Sequence, residues 1–329
     1  MRRSSAGVLW CAVLLACAPA ASVGQQQAAK DYPSKPIRVV VPFVPGGPMD
    51  FIGYGLGQKI APVIGQNLVI DHRPGAGGAI GADVVAKSPR DGYTILLTSS
   101  SLTTLPSVVK SLPYDPVKDF TPITLVSRSP GFVLVVHPSL PARSVKELVA
   151  LAKANPGKLS YPSAGIGHVL NFAGESFNMR AGTRIVHVPY KGIGQAINDL
   201  LAGRIELGLV SARSVLAHVR SGKLRPLGIT ASVRWNELPG VPTLDEAGLK
   251  GFTYATWYGL WYPAGTPVDY VPRMRGEVVR AFEDPATKRT FVEQGLIPVV
   301  STPQEFGKTI LEELEFHRRL AAQMGLKPQ

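Results

Sequence analysis

Short apolar runs rich in β-branched residues alternate along this chain with stretches of helical periodicity, and a glycine, proline or serine loop separates most pairs. Ile37, Val39, Val40 and Val41 read as a buried strand, which Pro42, Pro45, Gly46 and Gly47 break before a helix expected over residues 48–60. The theme returns in a strand at 67–72, the loop Arg73-Pro74-Gly75-Ala76-Gly77-Gly78 and a helix at 79–87. A third strand at 93–98 ends on Ser99, Ser100 and Ser101. Short strands follow at 123–126 and 132–136, and Ser144 with Glu147 forms a capping box that opens a helix to 154. An extended piece at 159–161 feeds Ser163-Ala164-Gly165-Ile166-Gly167-His168 and a helix over 170–179. Strands at 185–192, 205–210 and 224–230 alternate with helices at 195–202 and 214–220, before an aromatic strand at 254–262 and two helices at 269–282 and 303–324. The alternation implies an α/β protein with mainly parallel sheets. Breaks near 127–131 and 252–256 divide the pattern into two blocks, residues 31–127 with 256–329 and residues 128–255. Two lobes are therefore expected, with their glycine loops facing one cleft.

A strand that enters a helix through glycines leaves backbone N–H groups pointing out of the helix N-terminus, an arrangement suited to carboxylate or phosphate. Gly46 and Gly47 would let the backbone approach such an anion. Hydroxyls at Ser99 to Ser101 sit at the carboxyl end of a strand, where open α/β sheets place ligands. The spacing of Gly75, Gly77 and Gly78 does not match the dinucleotide fingerprint, and the chain carries no P-loop, no G-x-S-x-G elbow and no H-E-x-x-H. His72, His137, His187 and His218 stand singly in or beside apolar elements and read as structural, whereas His168 lies in a small-residue loop at a helix start. Asp199 and Glu206 are accounted for by a helix end and a strand start. This is an inventory for binding, with no catalyst, metal or cofactor expected. The reading it must displace is a secreted hydrolase pairing Ser99 or Ser163 with His168. A sensor subunit for a signalling partner would share the same fold and site.

The formal charge of +12 is spread over scattered Lys and Arg residues, without a basic run or interleaved aromatics. That favours small anionic solutes and argues against nucleic acid. Met1-Arg2-Arg3, an apolar centre to Ala18 and the Ala18-Pro19-Ala20 cleavage pattern mark residues 1–20 as a signal peptide for export to the periplasm. Leu14-Leu15-Ala16-Cys17 competes as a lipobox. Cys11 and Cys17 both fall in this segment, so a chain cut after Ala20 has no thiol for a disulfide, a metal or nucleophilic chemistry.

The sequence resembles the Bug family, the extracytoplasmic receptors of tripartite tricarboxylate transporters. The likeness lies in Tyr32-Pro33, in Pro42-Phe43 with Pro45-Gly46-Gly47 and Asp50, in Arg73-Pro74-Gly75-Ala76-Gly77-Gly78 and in Asp91-Gly92-Tyr93-Thr94. It continues through Leu112-Pro113-Tyr114-Asp115-Pro116, His187-Val188-Pro189-Tyr190-Lys191-Gly192, Trp257-Tyr258-Gly259-Leu260 and Pro263-Ala264-Gly265-Thr266-Pro267. The resemblance implies a two-lobed periplasmic-binding-protein (type II) fold with two crossing strands and an interdomain ligand cleft. It implies a monomer that holds a small carboxylated solute through backbone groups and water and passes it to membrane transporter subunits. Carried over, the site would contain Phe43, Gly46, Gly47, Asp50, Ser99 and Ser100 from one lobe. The other would supply Ser163, Gly165, Gly167 and His168, with Tyr190 and Lys191 near the cleft. The chain departs from the family where serine or threonine is usual (His168), where histidine is common (Asn171) and where an Asp-Asn pair is frequent (Val210-Ser211), all close to the expected ligand.

Overall fold

The computed structural model describes residues 32–328. The expected signal peptide, the competing lipobox and both cysteines lie outside the described residues.

The apolar runs at 94–99, 132–136 and 207–211 form strands buried on both faces, and most strands pass through a loop into a helix. Strand β1 (Ile37–Val41) leads to helix α1 (Pro48–Ile64), β2 (Leu68–His72) to α2 (Ala79–Ala86), and β3 (Thr94–Ser99) to a single helical turn, α3 (Ser101–Thr104). The long strand β4 (Phe120–Arg128) passes into β5 (Phe132–Val136), and α4 (Val145–Ala154) follows. Ser144 caps α4 by accepting from the Glu147 N–H at 3.2 Å, while the Glu147 carboxylate accepts from the Arg143 N–H, one residue before the expected box partner. Next come β6 (Ser160–Ser163), α5 (Val169–Ala181), β7 (Val186–Pro189), α6 (Ile193–Leu201), β8 (Leu207–Ser211), α7 (Ala212–Arg220) and β9 (Arg225–Ile229). The chain returns through β10 (Trp257–Pro263) and closes with α8 (Tyr270–Glu283), α9 (Pro285–Glu293), β11 (Ile297–Pro298) and α10 (Pro303–Gln323). Helix α9 and strand β11 were not expected. Asp284, whose carboxylate accepts from the Ala286 N–H, and Pro285 at the first helical position start α9 in a stretch whose polar composition hides its period.

The strands form one sheet in the order β11-β4-β10-β3-β1-β2, a second in the order β8-β5-β9, and the pair β6-β7. Only β1 with β2, β1 with β3, and β6 with β7 run parallel; the other five pairings are antiparallel. The expectation of mainly parallel sheets is therefore corrected. The chain leaves the first sheet along β4 and re-enters it along β10 from the same side, so these two neighbours must oppose each other, and β10 also opposes β3.

Two apolar cores cover the two faces of the first sheet, one with Val39, Leu97 and Tyr258 and the other with Val40, Leu96 and Trp261, and a third is built around β5, β6 and β8. The two crossings between the lobes bond to one another: the Ser129 N–H donates to the Thr256 carbonyl at 2.8 Å, and the Thr256 N–H to Ser129 Oγ at 3.3 Å. Helix α10 lies across this junction. Phe306 near its start packs on Trp257 and Trp261, with ring centroids 5.2 and 4.7 Å away, whereas Ala321 near its end belongs to the core around β5, β6 and β8. At 1.5 Å per residue a 21-residue helix is about 30 Å long, enough to reach both lobes. Among the described residues no helix is long and apolar enough to cross a membrane.

Candidate functional site

Four helices begin at one small cavity between the lobes. The starts of α1 at Pro48, α5 at Val169 and α6 at Ile193 line it, as does Ser211 immediately before α7. The cavity holds about 40 Å³, room for roughly three water-sized positions. Its apolar walls include Phe43, Val44, Met49, Phe132 and Leu170, and its polar side chains are Ser99, His168, Ser211, Thr256 and Tyr258. No lysine, arginine, aspartate or glutamate lines it. A helix start carries a partial positive charge and, where no side chain caps it, free N–H groups, so such a start can favour an anion without a cationic side chain.

The four termini are not equally available. At α1 the N–H groups of Gly46 and Gly47 donate to Asp50 Oδ2 at 2.7 and 2.9 Å, and Asp50 Oδ1 pairs with His72 Nε2 at 2.5 Å. This helix start already holds a carboxylate of its own. At α5 the Leu170 N–H donates to His168 Nδ1 and the Val169 N–H to Ser101 Oγ, each at 3.2 Å. Helices α6 and α7 have no side-chain cap at their N-termini.

His168 is buried against the Phe43 ring, edge to face at 5.0 Å between centroids. Burial first, and His187 nearby second, pull its pKa from the ordinary value down to about 3. The imidazole is thus neutral at neutral pH. Because Nδ1 accepts from Leu170, the hydrogen-bond network assigns the ring proton to Nε2, which has no partner among the described residues. His168, one of the cavity's lining residues, therefore carries one neutral N–H donor outside the bonds described.

The family described as the tripartite tricarboxylate transporter family receptor matches residues 55–326. Protein BugT of Bordetella pertussis is 36% identical over 309 residues, covering 93% of this chain and 94% of that protein. The chain belongs to the tripartite tricarboxylate transporter receptor family. Among solved structures, the periplasmic binding protein BugD superposes with a TM-score of 0.87 at 31% identity, covering 91% of this chain and all of that one. An R. palustris protein, Rpa4515, solved with adipate, gives 0.88 at 31% identity with the same coverage. The receptors of this family are solute-binding proteins, and their two-lobed fold is the one described above.

In this receptor, Phe43, Gly47, Ser99 and His168 among the twelve residues expected from sequence line the cavity. The other eight stand around it or away from it. Gly46 has a φ of 101°, which favours glycine, whereas Gly47 at −91° has ordinary backbone, and an added Cβ would meet only the Ile193 side chain at 4.0 Å. Asp50 ties the first loop to His72 as described. Ser100 Oγ pairs with Thr256 Oγ1 at 2.7 Å. Ser163 Oγ donates to the Gly165 carbonyl at 2.8 Å and sits 2.6 Å from His187 Nε2. Gly165 faces Gly77 of the other lobe so closely that a Cβ would lie 2.9 Å from the Gly77 nitrogen, and the Gly167 carbonyl accepts from Thr104. These glycines bring the lobes together. Tyr190 donates to Asp199 at 2.7 Å and Lys191 is exposed. Neither Ser99 nor Ser163 bonds to His168: Ser99 Oγ donates to Ser101 Oγ at 3.1 Å. Sequence reasoning missed Val44, Met49, Phe132, Ile193, Thr256 and Tyr258 as lining residues. The apolar ones carry no signal beyond core patterning, but the aromatic strand that holds Tyr258 was visible and could have been assigned a face.

Proposed function

We propose that this receptor captures a small carboxylated solute between two lobes, residues 31–127 with 256–329 and residues 128–255, in the periplasm, and delivers it to the membrane subunits of a tripartite tricarboxylate-type transporter. The observation that carries the reading is the convergence of helix N-termini from both lobes on one cavity that no Lys, Arg, Asp or Glu side chain lines. A carboxylate there would accept from backbone N–H groups and from His168, each terminus contributing about 0.3–1 kcal/mol and up to ~2 when partly buried. The adipate held by the R. palustris relative supports a carboxylate as the solute class. Closure would follow capture, because only the closed state brings both lobes to the ligand.

Small-angle scattering and thermal melting, with and without a panel of small carboxylates, test this. A bound solute at a hundredfold excess over Kd should stabilise the fold by about 2.7 kcal/mol, several degrees in Tm, with a smaller radius of gyration. A tightly bound carboxylate that leaves the radius unchanged would sink the cleft-closure reading.

A further inference from the structure

The net charge of the protein belongs almost wholly to one lobe. Residues 128–255 hold 15 Lys and Arg against seven Asp and Glu, whereas residues 31–127 and 256–329 together hold 17 against 16. Four of the second lobe's cations, scattered along the sequence, gather in the fold at the end of that lobe away from the cleft. We propose that this end, formed by Lys153, Lys158, Arg180 and Arg184 with Met179 and Val186, is a surface that docks reversibly on an anionic phospholipid bilayer.

Local geometry brings the four together. Helix α5 starts at the cavity with Val169 and runs 13 residues to Ala181, a length of about 20 Å. Arg180, in its last turn, therefore lies at the opposite end. Gly182 closes the helix there, and a Cβ added to it would lie 3.7 Å from the Nζ of Lys153, which stands in the last turn of α4. The Gly157 N–H donates to the Arg184 carbonyl at 2.8 Å, which sets Lys158 beside Arg184. All four side chains are exposed, and none forms an ion pair among the described residues. Arg180 makes one long bond, to the Gly251 carbonyl at 3.5 Å. The acids of the adjoining segments are engaged elsewhere. Glu206 accepts from the Ser160 N–H and Oγ at 2.8 and 2.7 Å, Glu175 from Tyr161 at 2.6 Å, and Asp245 from the Gly251 N–H at 2.6 Å with Lys250 3.4 Å away. Lys153 and Arg180 complement the dipoles of the helices they end, but Lys158 and Arg184 lie between elements and have no such reason to be basic. Met179 and Val186 stand exposed among these cations. Beside Arg180 opens a cavity of about 530 Å³ walled in part by Met179, Phe252, Phe316 and Leu320. Cations on flexible stems around exposed apolar side chains match mobile phosphate headgroups above acyl chains. A purely acidic protein face would answer the charge but not the apolar part.

Flotation with vesicles of phosphatidylethanolamine and phosphatidylglycerol tests the assignment, against phosphatidylcholine vesicles and, in a separate binding assay, soluble polyglutamate. Wild-type protein should favour the anionic vesicles by about tenfold or more, and by less as salt is raised. Lys153→Gln, Lys158→Gln, Arg180→Gln and Arg184→Gln together should lower that partition on the order of a hundredfold. Lys87→Gln, Lys118→Gln, Lys288→Gln and Lys308→Gln together, all exposed positions of the first lobe, change the net charge equally and should lower it by less than about threefold. Equal losses in the two variants would show that overall charge alone acts and would overturn the patch. Binding to polyglutamate but not to the vesicles would give the surface to an acidic protein instead. Absence of binding to anionic vesicles at low salt overturns membrane docking outright, and this wild-type comparison stands even if circular dichroism shows that a variant has not folded.

Discussion

The loops before α1 and before α5 look alike in sequence, each a strand running through small residues into a helix, yet they are wired in opposite ways. The first is closed on itself. Asp50 reaches back to the N–H groups of Gly46 and Gly47 and is held from behind by His72. The second spends its histidine differently, using Nδ1 to cap its own helix while the residue lines the cavity. Between them, α6 and α7 arrive with no side-chain cap at all. The same local motif thus yields a rigid wall on one lobe and a donor surface on the other. What separates them is whether an acidic side chain three or four positions on satisfies the helix start from within.

The largest expected effect comes from acid. Burial lowers the pKa of His168 to about 3, of His187 to about 4 and of His317 to about 4. The unfolded chain protonates these residues near pH 6.5 while the folded protein does not, so the stability they confer is full above that pH and is lost as pH falls toward 4. Each fully buried imidazole costs about 1.4 kcal/mol per pH unit across that window, and the partly exposed His187 costs less. Glu313, raised chiefly by burial, works in the opposite sense and regains some stability as it protonates. Chemical denaturation between pH 7 and 5 should show a loss on the order of several kcal/mol, and a flat profile would remove the buried neutral histidines from the second lobe and the junction.

Asp50→Ala should come next. It strips the acceptor from two N–H groups and leaves His72 unpaired, at a cost of about 3 kcal/mol in folding stability. Urea titration measures it, and a loss below ~1 kcal/mol would mean that the first loop does not depend on its internal carboxylate. On the other lobe, His168→Asn keeps a side-chain acceptor at the helix start but removes the Nε2–H. Affinity for a bound carboxylate should fall by about tenfold to a hundredfold with Tm nearly unchanged, since asparagine is a good N-cap. Equal affinity for wild type and variant would erase the contrast between the loops.

The smallest effects lie within the first loop itself. Gly46→Ala should destabilise by about 1 kcal/mol because of its φ of 101°. Gly47→Ala should cost only a few tenths of a kcal/mol, since its φ is −91° and the space beside it is open. Matched melting curves of the two variants compare them directly, and equal losses would show that the turn conformation differs from the one described.

Much was written locally. The runs 37–41 and 132–136 read as buried strands, and the proline and glycine positions placed the turns, so the α/β class and the starts of the helices at the cavity were legible from the chain to within about two residues, whereas the start of α9 was not. The anion-friendly character of the loops was legible too, because it follows from backbone geometry at a helix start. Strand direction was not, since the antiparallel entry of β10 between β3 and β4 depends on how the chain returns from the second lobe. Which donors remain for a ligand was likewise undecidable from spacing. Asp50 and His72 are 22 positions apart, Ser163 meets His187 rather than His168, and Thr256 arrives at Ser100 from 156 residues away. Hydrogen bonds between distant segments saturate or release each donor only when the lobes pack. Local sequence therefore determined where helix starts lie, and tertiary structure alone decided which of them stay open.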